Sequence, residues 1–177
     1  MAPKDKTYDL VIIGTGAGLG VLEEALPHGL SCALVESGKF GGTCLTRGCI
    51  PSKILVHPAD LVREAERAGR VGLDLRVAGF DWTVVADRMW SQINYHAEIE
   101  ASLSRVPNLD VYKGTGSFTG PDTMDVRQAD GTTRSLRGRR FVVAAGARSA
   151  VPPIPGLQEA GYLTSETFFG DGFPDRP

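Results

Sequence analysis

Long apolar runs are absent from this chain, and nothing in it approaches the roughly 18 consecutive apolar residues of a membrane-spanning helix. The opening Met1-Ala2-Pro3-Lys4-Asp5-Lys6 lacks the apolar stretch of a secretory signal and leads straight into a strand pattern. Neither sign of charge dominates: 19 basic against 21 acidic side chains give a net charge of −2, which excludes a basic footprint for nucleic acid or an anionic membrane. Cysteine is scarce, at three residues, too few for a disulfide-stapled scaffold or a four-thiolate zinc site. That usage, without an export signal, fits a reducing cytoplasm, where a disulfide is more often catalytic than structural. No internal repeat is present, and most of the 22 glycines fall at strand ends and turns, outside any low-complexity tract. With 177 residues and 42% apolar content, the chain has length and core for one domain, or one domain and an extension.

What is present begins with a short apolar run, Tyr8-Asp9-Leu10-Val11-Ile12-Ile13, ending at Gly14. It reads as a buried parallel strand. Gly14-Thr15-Gly16-Ala17-Gly18 makes a tight turn, a helix is expected from about Ala17 to His28 with Gly29 as its stop, and Ser31–Glu36 forms a second strand. Strand, glycine turn, helix, strand and acid follow in the order of a dinucleotide-binding unit. Glycines let the backbone approach a pyrophosphate at the helix N-terminus, and the Glu36 carboxylate accepts hydrogen bonds from ribose hydroxyls. One departure stands out: the third glycine position holds Leu19, between Gly18 and Gly20, so the helix is expected to sit slightly off.

The most specific stretch is Gly41-Gly42-Thr43-Cys44-Leu45-Thr46-Arg47-Gly48-Cys49-Ile50-Pro51-Ser52-Lys53. Five residues of straight helix rise about 7.5 Å and turn about 140° beyond one revolution. Disulfide geometry needs Cα atoms within about 7 Å and converging Cβ vectors. A regular helix therefore cannot join Cys44 to Cys49, and the backbone between them must be irregular. Gly48 relaxes φ, and Pro51 removes the donor that would bond the Arg47 carbonyl. A metal site is disfavoured, because Cys32 is the one cysteine left and it lies in a predicted core strand.

Downstream, a long helix is expected over Ile50–Ala68 with a kink or break at Pro58, then a connection through Gly69–Leu75 with a short extended piece. Asp81 is the expected N-cap of one helix running from Trp82 to about Arg105, with Val84, Val85, Met89, Ile93, Ile99 and Leu103 on its core face. Trp82, Trp90 and Tyr95 read as packing residues. A third strand covers Leu109–Lys113, and Gly114-Thr115-Gly116 bends the chain. Met124–Arg127 and Thr132–Leu136 flank the turn Ala129-Asp130-Gly131 as a small antiparallel excursion. Its arginines, with Arg139 and Arg140, read as a solvated face. Arg140–Gly146 is expected as a fourth buried strand whose small C-terminal residues admit a ligand. Pro152, Pro153 and Pro155 begin a linker, and Gly170–Pro177 shows no pattern.

Taken from Tyr8 to about Thr167, these pieces resemble, in order, the N-terminal part of the flavin-dependent pyridine nucleotide–disulfide oxidoreductases. That family includes dihydrolipoamide dehydrogenase, glutathione, mercuric and mycothione reductases. The wording of Cys49-Ile50-Pro51-Ser52-Lys53-Ile54-Leu55 and Asn108-Leu109-Asp110-Val111-Tyr112 is most similar to the dihydrolipoamide dehydrogenase and mycothione reductase branches. The resemblance implies an α/β, Rossmann-like FAD-binding domain at residues 1–150, truncated relative to the family, and a linker at 151–177. It implies FAD held by residues that include Gly18, with its pyrophosphate over Gly14 and Gly16, its ribose on Glu36, Gly41, Gly42, Thr43 and Cys44 lining the flavin, Gly116 at the adenine end, and Ala145 and Gly146 close by. Cys49 is then the flavin-facing thiolate, Cys44 the thiol that exchanges with a small disulfide substrate, and Lys53 the cation that stabilises charge on thiolate or flavin. Arg47 stays open between favouring the thiolate, attracting an anionic substrate and facing water.

The resemblance also implies parts without a counterpart motif here: a second glycine fingerprint for NAD(P)H, a histidine–glutamate pair, and a homodimer interface. His28, His57 and His96 lie outside the expected context. Two readings follow: the FAD-and-disulfide portion of a disulfide oxidoreductase, or a stand-alone flavin-binding or thiol-exchange module without nicotinamide chemistry.

Overall fold

The computed structural model describes residues 6–170 and 173, and the patternless tail falls largely outside them. The described chain divides into two compact units, one formed by residues 1–43 and 96–147, the other by 44–95 and 148–177.

The first unit is built on a seven-stranded sheet: β1 (Thr7–Tyr8), β2 (Leu10–Ile13), β3 (Cys32–Glu36), β4 (Leu109–Phe118), β5 (Thr123–Gln128), β6 (Thr133–Gly138) and β7 (Phe141–Val143), ordered β1-β6-β5-β4-β3-β2-β7. β7, β2, β3 and the first half of β4 run parallel, while β4, β5 and β6 form an antiparallel flap. The period-2 alternation of a strand decides which residues meet which layer. Ile12 and Leu34 face α1 (Gly18–Ala25), and Ile99 and Leu103 pack on the same cluster. Val11, Ala33, Val35 and Tyr112 face the other way, against Met124, Val126 and Leu136 of the flap.

Several expectations change. The first strand is interrupted at Asp9, whose carboxylate accepts from the Ser31 N–H at 3.0 Å and hydroxyl at 2.7 Å. The first helix ends at Ala25, continues as a 3₁₀ turn over Leu26–His28, and is closed by Gly29 at φ 74°. Gly114-Thr115-Gly116 does not bend the chain away. β4 runs straight through, changing partner from β3 to β5 after Lys113. Glycine permits the change, since a Cβ on Gly114 would lie 2.4 Å from the Arg127 carbonyl oxygen. β7 is shorter than expected and is not buried. It is the terminal strand of the sheet, with Val143 67% exposed.

A polar group closes the flap side. Asp110 Oδ2 accepts from Lys6 Nζ at 2.6 Å and from Tyr8 Oη at 2.7 Å, and the Tyr8 and Tyr112 hydroxyls lie 2.6 Å apart. Burial, then the bond to Asp110, push the Tyr8 phenol far above its ordinary range. Burial opposes the Asp110 charge, but the Lys6 and Tyr8 bonds outweigh it and hold the carboxyl below its ordinary 3.8. The unfolded chain therefore binds this proton more readily than the native one. The stabilisation is complete above the unfolded pKa and is lost as pH falls through the folded pKa. Acid melting curves should show wild type losing Tm more steeply than Asp110→Asn below about pH 4. Parallel curves would remove Asp110 from the acid response.

The second unit holds α3 (Cys49–Arg67) and α4 (Trp82–Asn94), with the short α6 (Leu157–Ala160) and α7 (Ser165–Phe168) from the C-terminal segment. Asp81 caps α4 as expected, its Oδ1 accepting from the Thr83 and Val84 N–H groups at 2.9 and 3.3 Å. Pro58 does not break α3. The helix runs through, and Ile54 and Leu55 pack on the core formed by Met89, Ile93 and Phe169. The expected helix 82–105 is two, α4 and α5 (His96–Leu103), because its apolar stripe serves two cores. Met89 and Ile93 belong to the second unit, Ile99 and Leu103 to the sheet. Ala68–Val71 form a 3₁₀ turn capped by Gly72, and the residues from Leu73 onward form no strand. Trp82 stacks on Phe173 with ring centroids 5.7 Å apart, and Trp90 meets the same ring edge-on, as packing residues do.

Candidate functional site

In the sheet unit the glycine turn leaves the end of β2 and enters α1. Gly14 stands at φ 99°, and a Cβ there would lie 2.2 Å from the Ala144 carbonyl oxygen and 3.3 Å from the Ala145 nitrogen. The turn is drawn to its neighbours by two backbone bonds: Gly14 N–H donates to Val35 at 2.8 Å, and Ala144 N–H donates to Ile13 at 2.8 Å. The expected displacement of α1 has a local remedy. Gly18, one residue before the pattern position, packs so closely on β2 that a Cβ would come within 2.8 Å of Ile12 Cγ2. Leu19 is then free to join the apolar layer beneath. No side chain caps the N-terminus of α1, whose N-cap is Ala17. The Leu19 and Gly20 N–H groups donate instead to the backbone carbonyls of Gly16 and Ala17, each at 3.2 Å.

Glu36, at the end of β3, already has partners. Oε2 accepts from the Thr15 N–H at 2.9 Å and the Thr15 hydroxyl at 2.7 Å, and Oε1 accepts from the Gly38 N–H at 2.7 Å. Thr15 is fully buried, and its oxygen also accepts from the Gly41 N–H at 3.1 Å. Gly42 sits against Gly16, where a Cβ would lie 2.5 Å from the Gly16 Cα. Gly14, Gly16, Gly18, Glu36, Gly41, Gly42 and the Ala144–Ala145 backbone thus form one group of close approaches. Gly146, at φ 77°, and Ala145 are exposed after β7. Gly116 stands apart, its open side filled by Met124. Reading residue types missed Thr15. The available signal was a hydroxyl inside the glycine turn, a place where apolar or small residues suffice for the turn itself.

The paired cysteines show the irregular backbone that their spacing demands. α2 (Gly42–Arg47) ends, Gly48 takes φ −139° and ψ −112°, and α3 starts at Cys49. Pro51 falls in the first turn of α3, where a missing N–H costs nothing within the helix. Both thiols are free and exposed. The Cys49 thiol beside it, then burial and the Cys49 charge, push the Cys44 pKa up against the opposing pull of the Cys49 N–H and Lys53. Lys53 is exposed one helical turn beyond Cys49 and lines an open groove of about 480 Å³ with Ser52, Ile54, His57, Asp60 and Arg88. Arg47 has a surface partner, Glu166 of α7, at 3.4 Å. Among the histidines, His57 lies on α3, His28 closes the 3₁₀ turn, and His96 begins α5 in the sheet unit. Burial, then Lys39 and Lys113, hold His96 below its ordinary pKa.

Among the described residues, no group of three or more metal-ligating side chains forms, and no helix is long and apolar enough to cross a membrane.

Residues 8–170 match the family described as pyridine nucleotide-disulphide oxidoreductase. The chain is 36% identical over 165 residues to a mycothione reductase of Mycobacterium tuberculosis, covering 92% of this chain and 36% of that protein. It is 34% identical over 166 residues to a mercuric reductase of Staphylococcus aureus, covering 92% of this chain and 29% of that one. Among solved structures, the Cu(II) complex of the HOCl-induced flavoprotein disulfide reductase RclA from Escherichia coli superposes with a TM-score of 0.69 at 28% identity, over 87% of this chain and 32% of that one. The chain thus spans about a third of the length of the relatives it matches. The glycine turn, the acid of β3 and the cysteine pair across a broken helix agree with these likenesses: the chain belongs to the pyridine nucleotide-disulphide oxidoreductase family, as its N-terminal part.

Proposed function

We propose that this chain is the FAD-and-disulfide part of a flavoprotein disulfide oxidoreductase that passes electron pairs among NAD(P)H, FAD, the Cys44–Cys49 couple and a small thiol or disulfide. The observation that carries it is the placement of two exposed, free cysteines on either side of the helix break at Gly48, near enough for Cys49 to be the first cause of the raised Cys44 pKa. Residues for the cofactor fit as well. Gly14 and Gly18 let the turn and the start of α1 pack directly on the Ala144 carbonyl and Ile12, no side chain covers the N-terminus of α1, and Glu36 stands at the strand end. Gly14, Gly16, Gly18, Glu36, Gly41, Gly42 and Thr43 would hold FAD, with Ala145, Gly146 and Gly116 as its further contacts. When bound, FAD supplies the two-electron reduction that reopens the disulfide.

The rest of the chemistry belongs to the cysteines. Deprotonated Cys44 attacks a substrate disulfide, forming a mixed disulfide and releasing one thiolate. Cys49 then attacks the Cys44 sulfur, closing the Cys44–Cys49 bond and releasing the second thiolate. Two electrons pass from the dithiol to the substrate. Because its pKa is raised, Cys44 needs a base before it can attack, a role for a group outside these residues. Lys53 stabilises negative charge near the pair.

The test mixes the oxidised chain anaerobically with reduced FAD and counts thiols. Two thiols should appear per flavin reoxidised, faster than from a disulfide peptide of the same 44–49 sequence. A rate no faster than the peptide's would sink the proposal.

A further inference from the structure

Glu36 stands one acceptor position short of open. A carboxylate offers about four lone-pair sites. Three are taken within the protein: two on Oε2 by the N–H and hydroxyl of Thr15, one on Oε1 by the N–H of Gly38. The Thr15 hydroxyl has one proton, and its direction is determined. Gly41 N–H can only donate, so Thr15 Oγ1 accepts from it at 3.1 Å and must turn its own proton to Glu36 at 2.7 Å. Thr15 is fully buried, whereas Glu36 is half-buried.

We infer that Thr15 is a positioning residue and that, acting through Glu36, it makes the nucleotide site read a single ribose hydroxyl. This rests on the nucleotide reading of the glycine turn and narrows it. Oε2 is saturated by Thr15, and the one remaining position, on Oε1, accepts one hydroxyl of a purine nucleotide's ribose. A carboxylate without the Thr15 hydroxyl bond would be free to rotate away from the ribose. The same hydroxyl reaches Gly41, the residue just before α2, so it also ties the turn to the segment entering the cysteine helix.

The experiment uses the whole chain and ADP, 2′-deoxy-ADP, 3′-deoxy-ADP and 2′,3′-dideoxy-ADP as probes, followed by amide shifts in NMR titrations. In the unmodified chain, one monodeoxy form should bind like ADP, and the other, like the dideoxy form, about tenfold more weakly, the value of one hydrogen bond to a charged acceptor. In Thr15→Val the ADP preference should collapse to within about twofold while dideoxy-ADP affinity holds within about threefold, and Thr15→Ser should restore the preference. Equal losses for both monodeoxy forms, or a Thr15→Val chain that keeps the preference, would overturn the inference while leaving the nucleotide site in place. A Thr15→Val chain that weakens all four probes alike would reduce Thr15 to a structural residue. Absence of ADP binding in the unmodified chain would overturn the nucleotide reading and the inference with it. The monodeoxy comparison needs no variant, so misfolding of Thr15→Val cannot shelter the claim.

Discussion

In glutathione buffers, the unmodified chain is expected to close Cys44–Cys49 without accumulating a mixed disulfide, whereas Cys44→Ser and Cys49→Ser should each stop at one. The second thiol already faces the first, and an intramolecular partner in position resolves a mixed disulfide faster than external thiol by about 10³-fold or more. Acid quenching and mass spectrometry would follow the species. The structure adds an asymmetry. The Cys49 thiol is the largest cause of the raised Cys44 pKa, so Cys49→Ala should lower it toward the ordinary thiol value. Alkylation of Cys44 near pH 8 should then be faster in Cys49→Ala than in the unmodified chain. Stable mixed disulfides on both cysteines of the unmodified chain would show that the two thiols do not work as a pair.

How much of this was legible in residues alone depended on whether the cause was local. The break between Cys44 and Cys49 was legible because helix geometry forbids the alternative, and Gly48 and Pro51 supply the means. The order strand, turn, helix, strand, acid was legible because each piece carries its own pattern. What failed was set at long range. The stripe keeps helical spacing, yet Val84, expected on the core face, is exposed, while Met89 and Ile93 belong to one core and Ile99 and Leu103 to another, so one helix became two. Arg140–Gly146 reads as a buried strand from its composition, but β7 lies at the end of the sheet order and Val143 faces outward. Gly114 reads as a bend, while its function is to let β4 exchange partners where a Cβ would lie 2.4 Å from the Arg127 carbonyl oxygen. At the candidate site, residue types pointed to Glu36 and the glycines. They were silent on Thr15, because a buried threonine becomes a determinant only through its partners.

Two glycines six residues apart should respond to alanine with opposite signs. Gly14→Ala places a methyl 2.2 Å from a backbone oxygen and 2.8 Å from its carbon, at φ 99°, where L side chains are strained. No side chain can rotate away, because the obstacle is the Ala144 peptide, itself bonded to Ile13 at 2.8 Å. Relief requires β2 and β7 to part, and the expected loss is about 3 kcal/mol or more in denaturant unfolding. Gly20→Ala, inside α1 with nothing within 4 Å of the new Cβ, should instead stabilise by about 0.5–1 kcal/mol through helix propensity. The contrast separates two reasons for glycine in one short turn and helix. At position 14 it keeps clear the close approach of the turn to the Ala144–Ala145 backbone, whereas at position 20 it serves no contact that the fold requires. A destabilisation at position 20 as large as that at position 14 would mean that Gly20 faces something other than open space. A tolerated alanine at position 14 would mean that the turn does not hold the approach on which the nucleotide reading depends.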